Sequence, residues 1–175
     1  MSHTLDTQLR VPQQREQVFP FFSDAFNLER ITPPELQFKV LTPAPVEIGE
    51  GTRIRYRLKL WGVPFHWETL ISCWEPPFRF VDEQLSGPYR VWSHRHEFIP
   101  THGGTLVCDH VDYELPAAAL GNLAHPLVRR QLIRIFQYRH EVLHGIFCGE
   151  GRTESGIVLD AAGDGVTTAA LGPAD

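Results

Sequence analysis

His94 and His96 stand two residues apart, and two carboxylates, Asp82 and Asp109, lie in the segments on either side of them. Imidazole titrates near neutral pH, so a histidine beside a carboxylate can remove a proton from one atom and return it to another. Two imidazoles on one face, completed by a carboxylate, can also form a metal site. The bland counterpart is a structural network in which Asp82 and Asp109 satisfy the two histidines. No cofactor or metal ion is expected from the sequence as a whole.

The elements that must position these groups are two arms of a β-hairpin. Residues 80–98, Phe80 to Phe98, alternate in two runs that meet at Gly87-Pro88. Residues two apart in a strand share a face. One face of the first arm therefore carries Phe80, Asp82 and Gln84, and one face of the second carries Trp92, His94, His96 and Phe98. Rings alternate with groups that hydrogen-bond or titrate, which suits a pocket wall better than a purely apolar core.

The rest of the chain has the size to enclose such a pocket. It has 175 residues, enough for one domain that buries about 70% of its unfolded surface. Hydrophobic residues make up 42% and charged residues 21%, the composition of an ordinary globular protein. The net charge is −5, and residues 149–175 hold Glu150, Glu154, Asp160, Asp164 and Asp175 against Arg152 alone. The body is thus nearly neutral and makes no electrostatic case for nucleic acid. Cys73, Cys108 and Cys148 have no metal-ligand spacing and suit free thiols in a reducing compartment. With neither an apolar signal core nor a bilayer-length apolar run, the expected location is the cytoplasm, without membrane insertion.

The first strand is expected to run through Leu5, Thr7, Leu9 and Val11, with Pro12 ending it and opening a helix. Ser23 or Asp24 can cap a second short helix that stops near Arg30, before Thr32-Pro33-Pro34. Strands are then predicted over Leu36–Leu41, through the alternating row Arg53 to Leu60, over Phe65–Trp74, in the two hairpin arms, and over Thr105–Leu115. Arg53, Arg55, Arg57 and Lys59 form a row expected to face solvent, and His66 and His110 fall on other faces than the pocket. Short turns join the last six strands into an antiparallel meander. Leu132, Ile135, Phe136 and Leu143 recur at helical spacing, predicting an amphipathic helix from Pro126, in its first turn, to Phe147, roughly 33 Å long. Beyond residue 148 the chain is acidic, small and Gly-rich. Ile157, Val158 and Leu159 can make a brief strand-like contact, and the remainder is expected to be disordered.

This order of elements resembles the START-like superfamily, also called the SRPBCC or polyketide cyclase/dehydrase-like group. The likeness covers about residues 3–147 and rests on particular segments. These are Phe21 to Glu29 with Ile31-Thr32-Pro33, Gly62-Val63-Pro64 before Trp67, the hairpin, Asp109 to Tyr113, and Ile135 to Arg139. They are also similar to one bacterial subfamily of ligand-binding SRPBCC domains. The resemblance implies an α+β helix-grip fold, a curved seven-stranded antiparallel sheet wrapped around a long C-terminal helix. Residues 1–148 would form the ligand-binding domain and 149–175 a tail. The dioxygenase branch's iron-binding pattern and a clear cyclase motif are not recognisable in this chain.

The expected pocket is lined by Tyr56, Trp67, Phe80, Asp82, Gln84, Trp92, His94, His96, Phe98, Asp109, Val111 and Tyr113. Ile135 and Arg139 of the last helix are the candidates to join them; Arg139 and His140 can close the mouth, with a surface position the favoured reading for both. Such a wall suits a small hydrophobic or amphipathic ligand: a polyketide, an aromatic compound, a sterol-like lipid or a fatty acyl group. A cyclase or dehydratase is the catalytic alternative. His94 or His96 would remove a proton beside a carbonyl, Asp82 or Asp109 would fix the tautomer, and Tyr113 would donate to the developing oxyanion. A partner-protein-binding module is the third reading, and it predicts an occluded cavity and an exposed apolar patch.

Overall fold

The computed structural model describes residues 2–116, 118–149 and 155–159, with side chains described outside 118–123 and 155–159. Alternation at period two produces strands β1 (Ser2–Val11), β3 (Arg53–Leu60), β4 (Val63–Glu75), β5 (Arg79–Ser86), β6 (Val91–Thr101) and β7 (Gly104–Glu114), with a short β2 at Lys39–Val40. Helices α1 (Arg15–Phe22) and α2 (Asn27–Arg30) follow β1, and α3 (Ala118–Phe147) follows β7. The final strand, β8, spans Ser155–Leu159. The fold is α+β: an antiparallel sheet with a long C-terminal helix, as the element order predicts.

Among the described residues the sheet has eight strands in the order β2-β3-β4-β5-β6-β7-β1-β8. The first six form the meander, and β1 returns to pair antiparallel with β7. Register shifts between Glu68 and Thr69 and between Ile71 and Cys73 interrupt the β4–β5 ladder, and such bulges bend a strand and sharpen its twist. The curved sheet leaves a concave face for the helices. Leu132 and Phe136 of α3 pack against Leu5, Val111 and Tyr113, while Leu143 joins Leu9, Phe98 and Val107. Two apolar clusters therefore lie between α3 and the β1–β7–β6 half of the sheet. Two more line the β2–β3–β4 half, beside the cavity.

Several boundaries differ from the sequence reading. Residues Pro34–Leu36 form a 3₁₀ turn, so Leu36 is not in β2; Leu36 N–H bonds back to Pro33 O and Gln37 takes φ 44°. Proline's fixed φ starts that turn and delays the strand. Helix α1 begins at Arg15, so Pro12 precedes it rather than opening it. Pro126 lies inside α3, because the Ala-rich stretch before it has high helix propensity and extends the helix N-terminally. At 30 residues α3 is roughly 45 Å long. The strand-like contact expected at Ile157, Val158 and Leu159 forms as β8 and extends back to Ser155, pairing with β1 from Leu5 opposite Leu159 to Leu9 opposite Ser155. Residues 150–154 and 160–175 lie outside the described residues. The basic row of β3 does face solvent at Arg53, Arg55 and Arg57. No helix is long and apolar enough to cross a membrane among the described residues.

Phe98 sits where α1 meets β6, in edge contact with Phe19 and Phe22. Removing a ring from a packed site loses its transfer energy and leaves a void. Phe98→Ala is expected to cost about 3–5 kcal/mol in urea unfolding.

Candidate functional site

Strand register brings the sequence-distant polar groups together. Asp82 of β5 is directly opposite His94 of β6, His96 is opposite Asp109 of β7, and Asp109 is opposite Thr7 of β1. Directly opposed side chains on one face lie close enough to interact. Four strands thus deliver five side chains to one patch of the concave face.

Asp109 is the hub. It is 3% exposed; its Oδ1 lies 3.0 Å from His94 Nε2, and its Oδ2 accepts a hydrogen bond from Thr7 Oγ1 at 3.0 Å. His96 Nδ1 is 2.8 Å from the same Oδ1, a close charge contact whose angle is too poor for a full hydrogen bond. On its other side His96 Nε2 meets Asp82 Oδ2 at 3.2 Å, and His94 Nδ1 stands 3.6 Å from that oxygen. The imidazole rings are 3.8 Å apart, and Phe80 stacks on His96 at 4.3 Å.

These contacts push the two histidines apart in basicity. Burial lowers His94, and a cationic His96 beside it lowers it further, against the opposing pull of Asp109 and Asp82. Burial also disfavours a charged His96, but Asp109 and Asp82 outweigh it and raise His96 above the ordinary value. Burial opposes ionisation of both carboxylates, yet His96, His94 and Arg139 hold Asp82 below its usual range, and His94 and His96 hold Asp109 well below. The pattern favours the neutral form of His94, donating through Nε2 to Asp109, and the protonated form of His96, between two carboxylates.

A metal ion is a poor match for this arrangement. Asp82, His94 and His96 do offer donor atoms within 4.8 Å of one another. Two imidazoles sharing an ion point at it edge-on, which with bonds of about 2 Å separates their centres by roughly 4.5 Å or more. Rings lying 3.8 Å apart, tilted by 39° and each hydrogen-bonded to a carboxylate, suit the strand network instead.

The patch forms one wall of a partly enclosed cavity of about 150 Å³. Of the expected lining, Tyr56, Trp67, Phe80, Asp82, Trp92, His94, His96, Ile135 and Arg139 are on the wall. Gln84 is not: its side chain clamps the hairpin turn, donating to Tyr89 O at 2.7 Å and accepting from Tyr89 N–H. A Cβ at Gly87 would collide with that amide, so the turn and Gln84 are matched to each other. Phe98 and Val111 belong to the core behind the wall. Asp109 lies one layer behind the histidines and acts through them. Tyr113 is corrected as an oxyanion donor; it is 1% exposed, off the cavity wall, and its hydroxyl is 3.2 Å from His125 Nε2.

Other wall residues were not anticipated. Phe22 of α1 and Leu28 of α2 cap one end with Ile31, and Leu132 and Phe136 of α3 roof it. Tyr56 hydroxyl and Trp67 Nε1 share the Thr69 hydroxyl, at 2.8 and 3.1 Å, which fixes the two rings against the wall. Burial pushes the Tyr56 hydroxyl up, so it stays protonated. The surface alternative for Arg139 and His140 fails, since both are buried. Arg139 is on the same stripe as Leu132, Phe136 and Leu143, spaced four, three and four residues apart, and that spacing is the signal for its inward position. His66 is exposed, and His110 sits on the outer face between Asp6 and Asp112. The three cysteines are free, and burial raises the Cys108 thiol to about 11.

A family model described as "Domain of unknown function (DUF8410)" matches residues 18–147, a span holding the C-terminal part of α1, the hairpin and the cavity face of α3. The chain belongs to this family. No curated protein matches it. Among solved structures, the DUF8410 chain is similar to the Zhui aromatase/cyclase from Streptomyces sp. R1128, with a TM-score of 0.62 and 15% identity over 87% of this chain and 100% of that one. A START superfamily protein from Mycobacterium smegmatis gives 0.55 and 17% over 81% and 99%. Ginseng major latex-like protein 151 from Panax ginseng gives 0.62 and 12% over 84% and 98%. Identities this low speak for the fold, which is START-like and helix-grip.

Linkage separates the two histidines. His96, raised in the folded state, contributes stability that is full below its unfolded value near 6.5 and is lost as pH rises through the folded value. His94, lowered, acts in the opposite sense and only below that unfolded value. Thermal unfolding from about pH 6.5 to 8 should therefore show a declining Tm that His96→Gln flattens and His94→Gln does not. Asp109→Asn, which removes the shared charge, is expected to cost about 3 kcal/mol or more in urea unfolding at neutral pH.

Proposed function

We propose that residues 1–148 form a cytoplasmic ligand-binding unit that takes up a small, largely hydrophobic molecule between the curved sheet and α3. Residues 149–175 add an acidic tail. The observation that carries this reading is the cavity itself: space bounded by Trp67, Trp92, Tyr56, Phe22 and Phe136 with a few convergent polar groups on one side. A protein-docking module would leave that interior occluded. Aromatic walls favour flat or chain-like apolar bodies of the polyketide, aromatic, sterol-like or fatty acyl kind.

One observation favours a second reading, catalysis of the cyclase or dehydratase type. His94 and His96 are adjacent on the wall and shifted in opposite directions by their surroundings, which is how environments assign a base and an acid. The neutral His94 carries a lone pair at Nδ1 for a proton beside a carbonyl, and the cationic His96 has one to return to oxygen. Asp109 would hold the tautomer from behind. The aromatase/cyclase likeness supports the fold on which such chemistry would run.

N-phenyl-1-naphthylamine, an apolar fluorophore, tests the first reading. Saturable one-to-one binding is expected, weakened at least tenfold by Ile135→Trp, which fills the cavity from the helix side; binding unchanged by that substitution counts against the cavity. The double variant His94→Gln, His96→Gln should keep the fluorophore and lose any turnover of a poly-β-ketone thioester.

A further inference from the structure

The cavity wall contains a cation with unused hydrogen-bonding capacity. Arg139 is 7% exposed, and its Nε and Nη1 atoms are buried without a hydrogen-bond partner. A guanidinium keeps its charge at any physiological pH and presents donors in a planar fork. Leaving such donors unpaired is costly, and a structure seldom retains them without a use. The side chain is held in place: its guanidinium carbon lies 4.7 Å from the centre of the Phe136 ring, on the same helical stripe. Asp82, a carboxylate of the same cavity wall, feels the charge of Arg139, but it is hydrogen-bonded to His96 and lies beside His94, which hold it more strongly. Arg139 therefore stands as a cation on an aromatic wall, with no carboxylate bonded to it among the described residues.

We propose that Arg139 receives the carboxylate of an acidic, otherwise apolar ligand. This rests on the cavity-binding reading above and narrows it to one chemical class: molecules with a hydrophobic body and a terminal carboxyl group. The guanidinium donates to both carboxylate oxygens, and the rest of the ligand lies along Trp67, Trp92 and Tyr56. Desolvation by the surrounding rings strengthens the pair relative to the same contact in water.

Matched acid and alcohol pairs provide the test: octanoic acid with 1-octanol, dodecanoic acid with 1-dodecanol, and 3-(2-naphthyl)propanoic acid with its alcohol. Titration calorimetry at pH 7.5 on the full chain is expected to give at least a tenfold preference for the acid of whichever pair binds. Arg139→Met should abolish the preference while leaving the alcohol's affinity within about threefold, and Arg139→Lys should retain part of it, a point charge without the fork. The comparison of acid with alcohol on the unsubstituted protein stands even where a variant fails to fold. Alcohols bound as tightly as acids, or a preference that survives Arg139→Met, overturn the carboxylate assignment and leave the cavity reading intact. Failure of every acid and alcohol to bind overturns both.

Discussion

One buried carboxylate holds the working face of this protein together. Asp109 is shared by His94, His96 and Thr7, which belong to β6 and β1 on either side of its own strand. An unpaired carboxylate at that depth would be severely penalised, so these strands must keep the register that supplies its partners. A slip of one residue would turn every side chain of β6 to the other face and set Arg95 or Glu97, in place of His96, opposite Asp109. The network therefore both specifies the sheet pairing and fixes the imidazoles on the cavity wall. Structure and chemistry rest on the same atoms.

The cavity follows from how the sheet is covered. Helix α3 is long enough to lie along the concave face; Leu132, Phe136 and Leu143 pack over the β1–β7–β6 half, while Ile135 reaches the cluster of Leu58, Leu60 and Trp67 on the other half. Bulges in the β4–β5 ladder curve the other half, where α1 and α2 reach only the end of the space. Rings too large to interdigitate fully border the gap, and Thr69 anchors two of them by their polar ends. What remains is a room with one rigid polar wall, an apolar cap and a helical roof that carries a cation.

The strand pattern, the meander and the outward face of the basic row follow from period-two alternation, and the pairing of Asp82, His94 and His96 was visible on the same ground. The misplacements have separate physical causes. Gln84 shares the face of Asp82 but lies near the tip, where a clamp on Tyr89 satisfies the turn. Tyr113 shares the face of Asp109 but sits under α3, so its hydroxyl meets His125 instead of the cavity. Leu36 reads as strand by composition, yet Pro33 and Pro34 impose a turn first. Arg139 and His140 read as surface by residue type. A helix wedged onto a concave sheet buries a wider stripe than the usual amphipathic face, and charged residues on that stripe go in with it. Contributions from α1 and α2 to the wall depend on how short helices dock, which local periodicity does not encode.

Those two kinds of wall residue differ in what they permit. His94 and His96 are bound into the strand network, and exchanging either one leaves a buried charge short of a partner. The sheet side of the cavity is thereby constrained by folding as well as by any ligand. Arg139 has no such tie: Phe136 supports it, and its free donors point to no structural duty among the described residues. A side chain that folding does not use and burial penalises is best explained by what it meets when the cavity is filled. On this argument the strands set the polarity and protonation of the floor, while the helix decides which end group the occupant must present.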